Sequence, residues 1–421
     1  MTGGRALPGP FRVTEAAVAC VSAATGAAAR LLEARGLPAG PVSVDARHAE
    51  ESFRSERHLL VDGRSPGEVW APLSGDYRTA DGWVRLHCNY PHHADAVRRA
   101  VGGQERADVV ERVLRLRADD VEAAVLAEGG AAAALRPPER WRAHPQGRAV
   151  AAEPLVAVEK VGDAPARPLP RADRPLAGVR VLDLTHVIAG PVCGRVLSAH
   201  GADVLHVGAA HLPVVAPLVV DTGFGKRSTF LDLRAEEERA TLRALLAEGD
   251  VLVQSYRPGS LAAKGFGERD LPPGSVLVSL DAYGHTGPWR DRRGFDSLVQ
   301  MASGIAAESG VDTPRPLPAQ ALDHGTGWLA ALGVMRALAW RAAEGGTWHV
   351  KVSLARTAWW LSDLGRTDAV ARESSAAPYL SEMDSDFGRV THVRPPGRLP
   401  GSPPRWESGP RKPGADAPNW L

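Results

Sequence analysis

The sequence predicts an α/β protein whose second half holds a parallel sheet, joined to a smaller N-terminal part of mixed helix and strand. Three observations carry this. The chain has 421 residues, enough for more than one core. A Pro-rich stretch at 163–175, "DAPARPLPRADRP", has the composition of a linker. Beyond it, short Val/Leu-rich runs alternate with helical patterns, the signature of strands covered on both faces.

In order along the chain, residues 12–36 are Ala-rich, helically periodic and closed by Gly36, which predicts a buried helix with a glycine stop. "GPVSVDARHAEESF" predicts a short strand running into a helix. "GDYRTADGWVRLHCNY" places an Asp-Gly turn between two strand-like runs, a hairpin signal. Residues 105–150 read as mostly helical, broken at Gly129 and Pro137.

Past the linker, "GVRVLDLTHV" reads as a strand, "GPVCGRVLSAHG" as a helix, and "ADVLHVG" and "LVVDTGFGKRSTFLDL" as two further strands. The helix "AEEERATLRALLAEG" and the strands "DVLVQSY" and "SVLVSLDAYG" follow. Two helices, "GFDSLVQMASGIAAES" and one beginning at Asp323, lead to the strand and helix of "WHVKVSLARTAWWLSDLG". From about 366 the chain is rich in Pro, Gly, Ser and Arg, predicting a tail draped on the surface or partly disordered. Residues 23–49 echo 330–358 in layout: an Ala-rich helix, a Gly break, an alternating run and a helix containing Ala-Arg. In that echo the place of Asp323 falls near Ala16.

Composition excludes several classes. A net charge of +1 argues against broad binding to nucleic acid or anionic membranes. Cys20, Cys88 and Cys193 are scattered without CxxC spacing, which argues against a disulfide framework or a zinc site and fits a reducing cytoplasm. The N-terminus lacks the layout of a signal peptide, and no apolar run is expected to approach ~18 residues. The expected location is therefore the cytoplasm.

Motifs narrow the chemistry further. The first strand–helix turn past the linker, "THVIAGPVCGR", lacks GxGxxG spacing, and Pro191 removes an N–H that a pyrophosphate would use. There is no Walker loop and no GxSxG elbow. The pair His92–His93 invites a metal, but adjacent histidines diverge on any regular element and no HExxH accompanies them, so no metal ligand is assigned. "GFGKRST", with Lys226 and Arg227, and "QSYRPGS", with Tyr256 and Arg257, end or precede strands where open α/β sheets bind ligands. Cations beside an aromatic face suit a purine and its phosphates. The plainer reading is that these are solvated loop residues. Asp323 precedes Gly325 and Gly327 at a helix start, where an aspartate most often only caps the helix. The same position also suits a nucleophile, because a helix N-terminus favours the ionised carboxylate.

Five stretches then come in a familiar order: "PLAGVRVLDLTHVIAGPVCGRVLSAHGADVLHV", "GKRSTFLDLR", "GDVLVQSYRPGSLAAKGFG", "SLDAYGHTGPWRDRRGFDSLVQMASG" and "LDHGTGWLAALGVMRALAWR". Over roughly 175–362 the chain resembles the family III CoA-transferases, the formyl-CoA transferase and carnitine CoA-transferase-like group. The resemblance implies a Rossmann-like large domain that binds coenzyme A, with a smaller α+β domain. It implies that Asp323 attacks an acyl-CoA and passes through a mixed anhydride and an aspartyl-CoA thioester. It also implies that His186, Val187, Lys226, Tyr256 and Arg293 line the coenzyme A site. Coenzyme A and acyl-CoA would be substrates, with no permanently bound cofactor; the partners would be an acyl-CoA and a carboxylic acid.

The N-terminal part resembles the family's later portion, and "GRVTHVRPPGRLPGSPPRW" its closing segment. A fused, abridged duplication follows: a small-domain-like region at 1–162, a linker at 163–175, a catalytic domain at 176–365 and a tail at 366–421. Both a homodimer and a pseudo-dimeric monomer fit that layout. The chain departs from the family pattern at Gly208, where an acidic residue is usual, and at Ser255, where Asn is usual. The family's Gly-rich covering loop has only "PLSGDY" as a counterpart. Two other readings stay open. One is a 2-methylacyl-CoA racemase, which would need an acid/base His where this chain has Phe295. The other is a catalytically silent coenzyme A-binding relative.

Overall fold

The computed structural model describes residues 7–310, 312–368 and 375–421. The N-terminal region opens with α1 (Val13–Ala34) and α2 (Ala46–Ser52), the latter capped by the Asp45 side chain on the His48 N–H. No strand forms before α2. Pro41 cannot donate to a ladder, and only a single bridge, Ser43 to Arg398, is made. A short strand β1 (Leu60–Val61) precedes the expected hairpin, β2 (Gly75–Arg78) and β3 (Trp83–Leu86), paired antiparallel with Arg78 opposite Trp83.

Helices α3 (Pro91–Val101), α4 (Arg106–Val113) and α5 (Ala118–Ala127) then pack on that hairpin. A strand the sequence did not suggest, β4 (Ala132–Ala134), is fully buried. Three alanines carry little strand preference; pairing with β3 and burial decide the matter. After α6 (Pro138–Ala143) and α7 (Pro145–Ala152), β5 (Ala157–Gly162) joins the edge of the large sheet. The 163–175 stretch forms no helix or strand, yet Arg35 of the C-terminal end of α1 donates to the carbonyls of Pro170 and Pro175 and pins it down.

The second half contributes β6 (Arg180–Leu184), β7 (Asp203–Gly208), β8 (Lys226–Phe230), β9 (Val251–Gln254), β10 (Val276–Asp281) and β11 (Thr347–Ser353). They form a sheet of seven strands in the order β5-β11-β10-β9-β6-β7-β8, all parallel except β5. Starting at β6, this is the doubly wound order of a Rossmann sheet, and its direction reverses between β6 and β9. Residue alternation assigns the two faces. Val181, Val251, Val253, Val276 and Val278 enter the core shared with α1, whereas Leu182, Leu184, Leu252 and Leu277 enter a separate core on the other side.

The helices of this half are α8 (Ala189–Ala199), α9 (Ala216–Thr222), α10 (Glu236–Glu248), α11 (Asp296–Ser303), α12 (Ile305–Glu308), α13 (Ala321–Glu344) and α14 (Leu354–Asp363). The strand expected over 218–233 is α9 followed by β8. Pro217 in the first turn favours a helix start, and the turn brings Asp221 within 2.9 Å of the buried Arg195 guanidinium. Helix α13 crosses α8 closely at Gly327, where a Cβ would lie 2.4 Å from the Ala189 carbonyl oxygen.

Helix α1 packs along α13. It spans 22 residues and is apolar enough, by length and composition, to cross a bilayer, so the expectation that no run approaches that length is corrected. Ala17, Val21, Ala24, Ala28, Leu31 and Leu32 are nevertheless fully enclosed in protein, which makes α1 a core helix here. The tail is more structured than its composition suggests. Strands β12 (Leu380–Ser385) and β13 (Gly388–Val393) pair with each other, β13 also pairs with β1, and Trp406 stacks on Phe224 at 4.8 Å. Residues 369–374 of the tail lie outside the described residues.

Candidate active site

At the point where the strand order reverses, the loops leaving β6 and β9 diverge and leave a crevice at the carboxyl ends of the strands. A cavity of about 450 Å³ occupies it. His186 and Val187 come from the loop after β6, Tyr256 and Arg257 from the loop after β9, and Asp281 from the end of β10. Arg292, Arg293 and Phe295 come from the segment before α11, and Asp323 from the first turn of α13. The N-terminal region closes the remaining side with Tyr90, His92 and His93, at and just before the start of α3.

Asp323 is the third residue of α13, not its cap. The capping task falls to Asp296, one of whose oxygens accepts the backbone N–H groups of Leu322 and Asp323 at 2.9 Å each. Gln300 holds the other Asp296 oxygen through its amide and accepts the Leu317 N–H at 2.6 Å, which locks the approach to the helix. The Asp323 carboxylate is thereby released from local bonding. Among the described residues no donor hydrogen-bonds to it, although Asp323 is only 6% exposed. Burial pushes its pKa well above the ordinary carboxylate range, and the charges of Asp296 and Glu56 push it further. Burial also raises Asp296, to about 6. Burial raises Glu56, but the His324 contact at 3.2 Å, its own backbone N–H and the Arg57 charge together hold it below its usual value.

Val187 adopts φ +70, a left-handed conformation rare for a β-branched residue, at the mouth of the cavity. It precedes the first turn of α8, where Ala189 and Gly190 border the same space. Their N–H groups have no intrahelical acceptor, as at any helix start. The His186 and Tyr256 rings meet edge to face at 6.0 Å. Burial lowers the pKa of His186 and raises that of Tyr256. Arg293 donates to the Gly129 carbonyl, which ties the cavity rim to the N-terminal region. Arg292 is ion-paired with Glu122 and lies over the Trp289 ring at 4.1 Å.

Of the residues expected at the site, His186, Val187, Tyr256, Arg293 and Asp323 share this cavity. Lys226 does not. Its ammonium is buried, 2.7 Å from an Asp183 oxygen and 2.7 Å from the Pro191 carbonyl, and borders a smaller cavity of about 60 Å³ that shares Tyr90, His186, Val187 and Pro213 with the crevice. Gly194 makes room for this ion pair, since a Cβ there would come within 2.7 Å of Asp183. Lys226 thus lies beside His186 and Val187 but outside the large crevice, with its charge met by Asp183. Asp296, Glu56, Tyr90 and the histidine pair were not recognised as site residues. In the sequence Asp296 is only the residue after Phe295, and the adjacent histidines carry only a metal signal. Among the described residues no group of three His, Cys, Asp or Glu side chains is placed to hold a metal.

Comparison with known proteins adds an independent line. Residues 176–384 match the family described as CoA-transferase family III. An acyl-CoA transferase of Gibberella moniliformis is 29% identical over 83% of this chain and 70% of its own length. The acetyl-coenzyme A transferase nodX of Hypoxylon pulicicidum is 36% identical over 45% of this chain and 34% of its own. The crystal structure of hypothetical protein Rv3272 from Mycobacterium tuberculosis superposes with a TM-score of 0.43 at 31% identity, covering 45% of this chain and 58% of that one. Further curated relatives are matched over about half of their length or less.

Proposed function

The chain belongs to CoA-transferase family III through residues 176–384, and from that premise we propose that it moves coenzyme A between an acyl-CoA and a carboxylic acid, with Asp323 as the nucleophile. One observation carries the proposal. The Asp323 carboxylate is free of hydrogen-bond donors and borders the large crevice, while Asp296 takes over the start of its helix.

The ionised Asp323 oxygen attacks the thioester carbon; the carbon–sulfur bond breaks and coenzyme A leaves as thiolate, giving a mixed anhydride. The thiolate then attacks the Asp323 carbonyl carbon and releases the first acid, leaving an aspartyl-CoA thioester. The second acid attacks that thioester, and the thiolate returns to the new acyl carbon, which regenerates the Asp323 carboxylate. Each half splits one difficult exchange into two easier ones. A carboxylate kept from donors is the more reactive nucleophile, and its raised pKa means that burial opposes its charge until the anhydride neutralises it. In this scheme the free N–H groups of Ala189 and Gly190 stabilise the oxyanion of each tetrahedral intermediate. Arg257 and Arg293 meet the phosphates, and Tyr256 and His186 flank the coenzyme.

Phe295 removes the support for the racemase reading: it stands where a proton-exchanging His is required and has no proton to give. The test is to incubate the protein with an acyl-CoA, trap with hydroxylamine or borohydride, and map the modified residue by mass. The expected label is on Asp323; coenzyme A binding with no label on any carboxylate would support a silent binding protein instead.

A further inference from the structure

The segment 282–295, between β10 and α11, brings Arg290, Arg292, Arg293 and Phe295 to the crevice, and no helix or strand gives it a shape. Its backbone is held instead by two side chains of the N-terminal region. Gln146 is fully buried in the first turn of α7. Its amide donates to the Tyr283 carbonyl at 2.7 Å and the Thr286 carbonyl at 2.8 Å, and its oxygen accepts the Trp289 N–H at 2.6 Å. Burying an amide is costly unless its bonds are met, and here all three go to the loop. Glu153, directly after α7, adds a second hold through one oxygen, which accepts the His285 and Thr286 N–H groups at 2.9 Å each. The loop has glycine where it bends round Gln146. Gly287 stands at φ +82, and a Cβ there would lie 2.6 Å from the Gln146 oxygen.

The hold extends to the arginines. Trp289, fixed through its N–H, presents its ring to the Arg292 guanidinium at 4.1 Å, and its carbonyl accepts the Arg292 N–H at 2.9 Å. The next residue, Arg293, ends on the Gly129 carbonyl. Gln146 itself is not part of the crevice lining. Its bonds therefore reach the ligand site only through the backbone they fix, which at Trp289 lies one turn of chain before Arg293.

We propose that Gln146 is a positioning residue for coenzyme binding: by fixing the loop backbone at Tyr283, Thr286 and Trp289 it holds Arg293 where a coenzyme phosphate meets it. This rests on the coenzyme A-transfer reading, in which Arg293 meets the phosphates, and adds a residue outside the site. The test uses the full chain and calorimetric titration with free coenzyme A. Gln146→Met keeps the length of the buried side chain but makes none of the three bonds. It is expected to weaken binding about tenfold, roughly one hydrogen bond's worth. Introduced into Arg293→Ala, the same substitution should cost less than about threefold, since the group it positions is gone. Gly287→Ala leaves α7 intact and disturbs the clamp from the loop side. The same loss and the same dependence on Arg293 are expected of it, so it decides the matter if Gln146→Met fails to fold. Unchanged affinity in these variants, or an equal loss with and without Arg293, would overturn the inference and leave the transferase reading in place. Failure of the unaltered protein to bind free coenzyme A would overturn that reading first, and the inference with it.

Discussion

One oxygen of the Asp296 carboxylate accepts the backbone N–H groups of both Leu322 and Asp323, at 2.9 Å each. The acid that starts α13 is thus distinct from the acid that faces the crevice. That division of labour makes Asp296 a positioning residue with a measurable electrical effect. Asp296→Asn keeps an oxygen at the cap but removes the negative charge that raises Asp323. The carboxyl of Asp323 should then ionise at lower pH, and the acid limb of the pH profile for kcat/KM should move to lower pH. Asp296→Ala loses the cap as well, with a cost of about 1–2 kcal/mol in stability and a fall in turnover. A profile whose acid limb stays in place in Asp296→Asn would show that the two carboxyl groups are not electrically linked.

Asp323 itself should be a burden on stability. Its pKa is raised in the folded protein, so the folded state holds the proton more tightly than the unfolded chain does. Its carboxyl therefore adds nothing below the unfolded value, near 3.9, and destabilises increasingly as pH rises from there toward the folded value. Asp323→Asn should abolish transfer yet raise stability at pH 8, because it removes a carboxyl that burial disfavours in its charged form. The gain should shrink at pH 5. Denaturant melts of both proteins at the two pH values measure this, and an Asn variant less stable at pH 8 would contradict it.

Arg257 is exposed on the rim of the crevice, and burial, with the charge of Arg257 added to it, lowers the pKa of the nearby Arg293 guanidinium. If these cations meet the coenzyme phosphates, Arg257→Ala should weaken coenzyme A binding by about tenfold at low salt, and by less at high salt where exposed charges are screened. Titration at two ionic strengths reads this directly. Equal affinity in the variant at low salt would place the phosphates elsewhere.

Much of this architecture was legible in the sequence because burial imposes periodicity. The Val/Leu runs of β6, β9 and β10 alternate between two cores, and the Ala-rich pattern of α1 matches its enclosure against α13. What was not legible depended on partners distant in the chain. β4 is three alanines that only the neighbouring β3 makes into a strand. The ion pair of Lys226 with Asp183 has no local signal, because the two residues lie on different strands. Asp323 was singled out correctly as a residue at a helix start, but the capping role assumed for it belongs to Asp296, 27 residues earlier. Tyr90 had no local signal, and the His92–His93 pair pointed only to a metal, since only the closure of the N-terminal region over the sheet brings them to the crevice.

The central claim concerns the Asp323 carboxylate, and its oxygen atoms provide the most direct test. If the acceptor acid attacks an aspartyl thioester, one of its oxygens must remain on Asp323 when the thiolate takes the new acyl group. A single turnover should therefore be run with an acceptor acid whose carboxylate oxygens are both oxygen-18, and the peptide containing Asp323 weighed afterwards. One heavy oxygen on Asp323 is the expected result. Coenzyme A transfer that proceeds while Asp323 keeps its original oxygens would contradict the account.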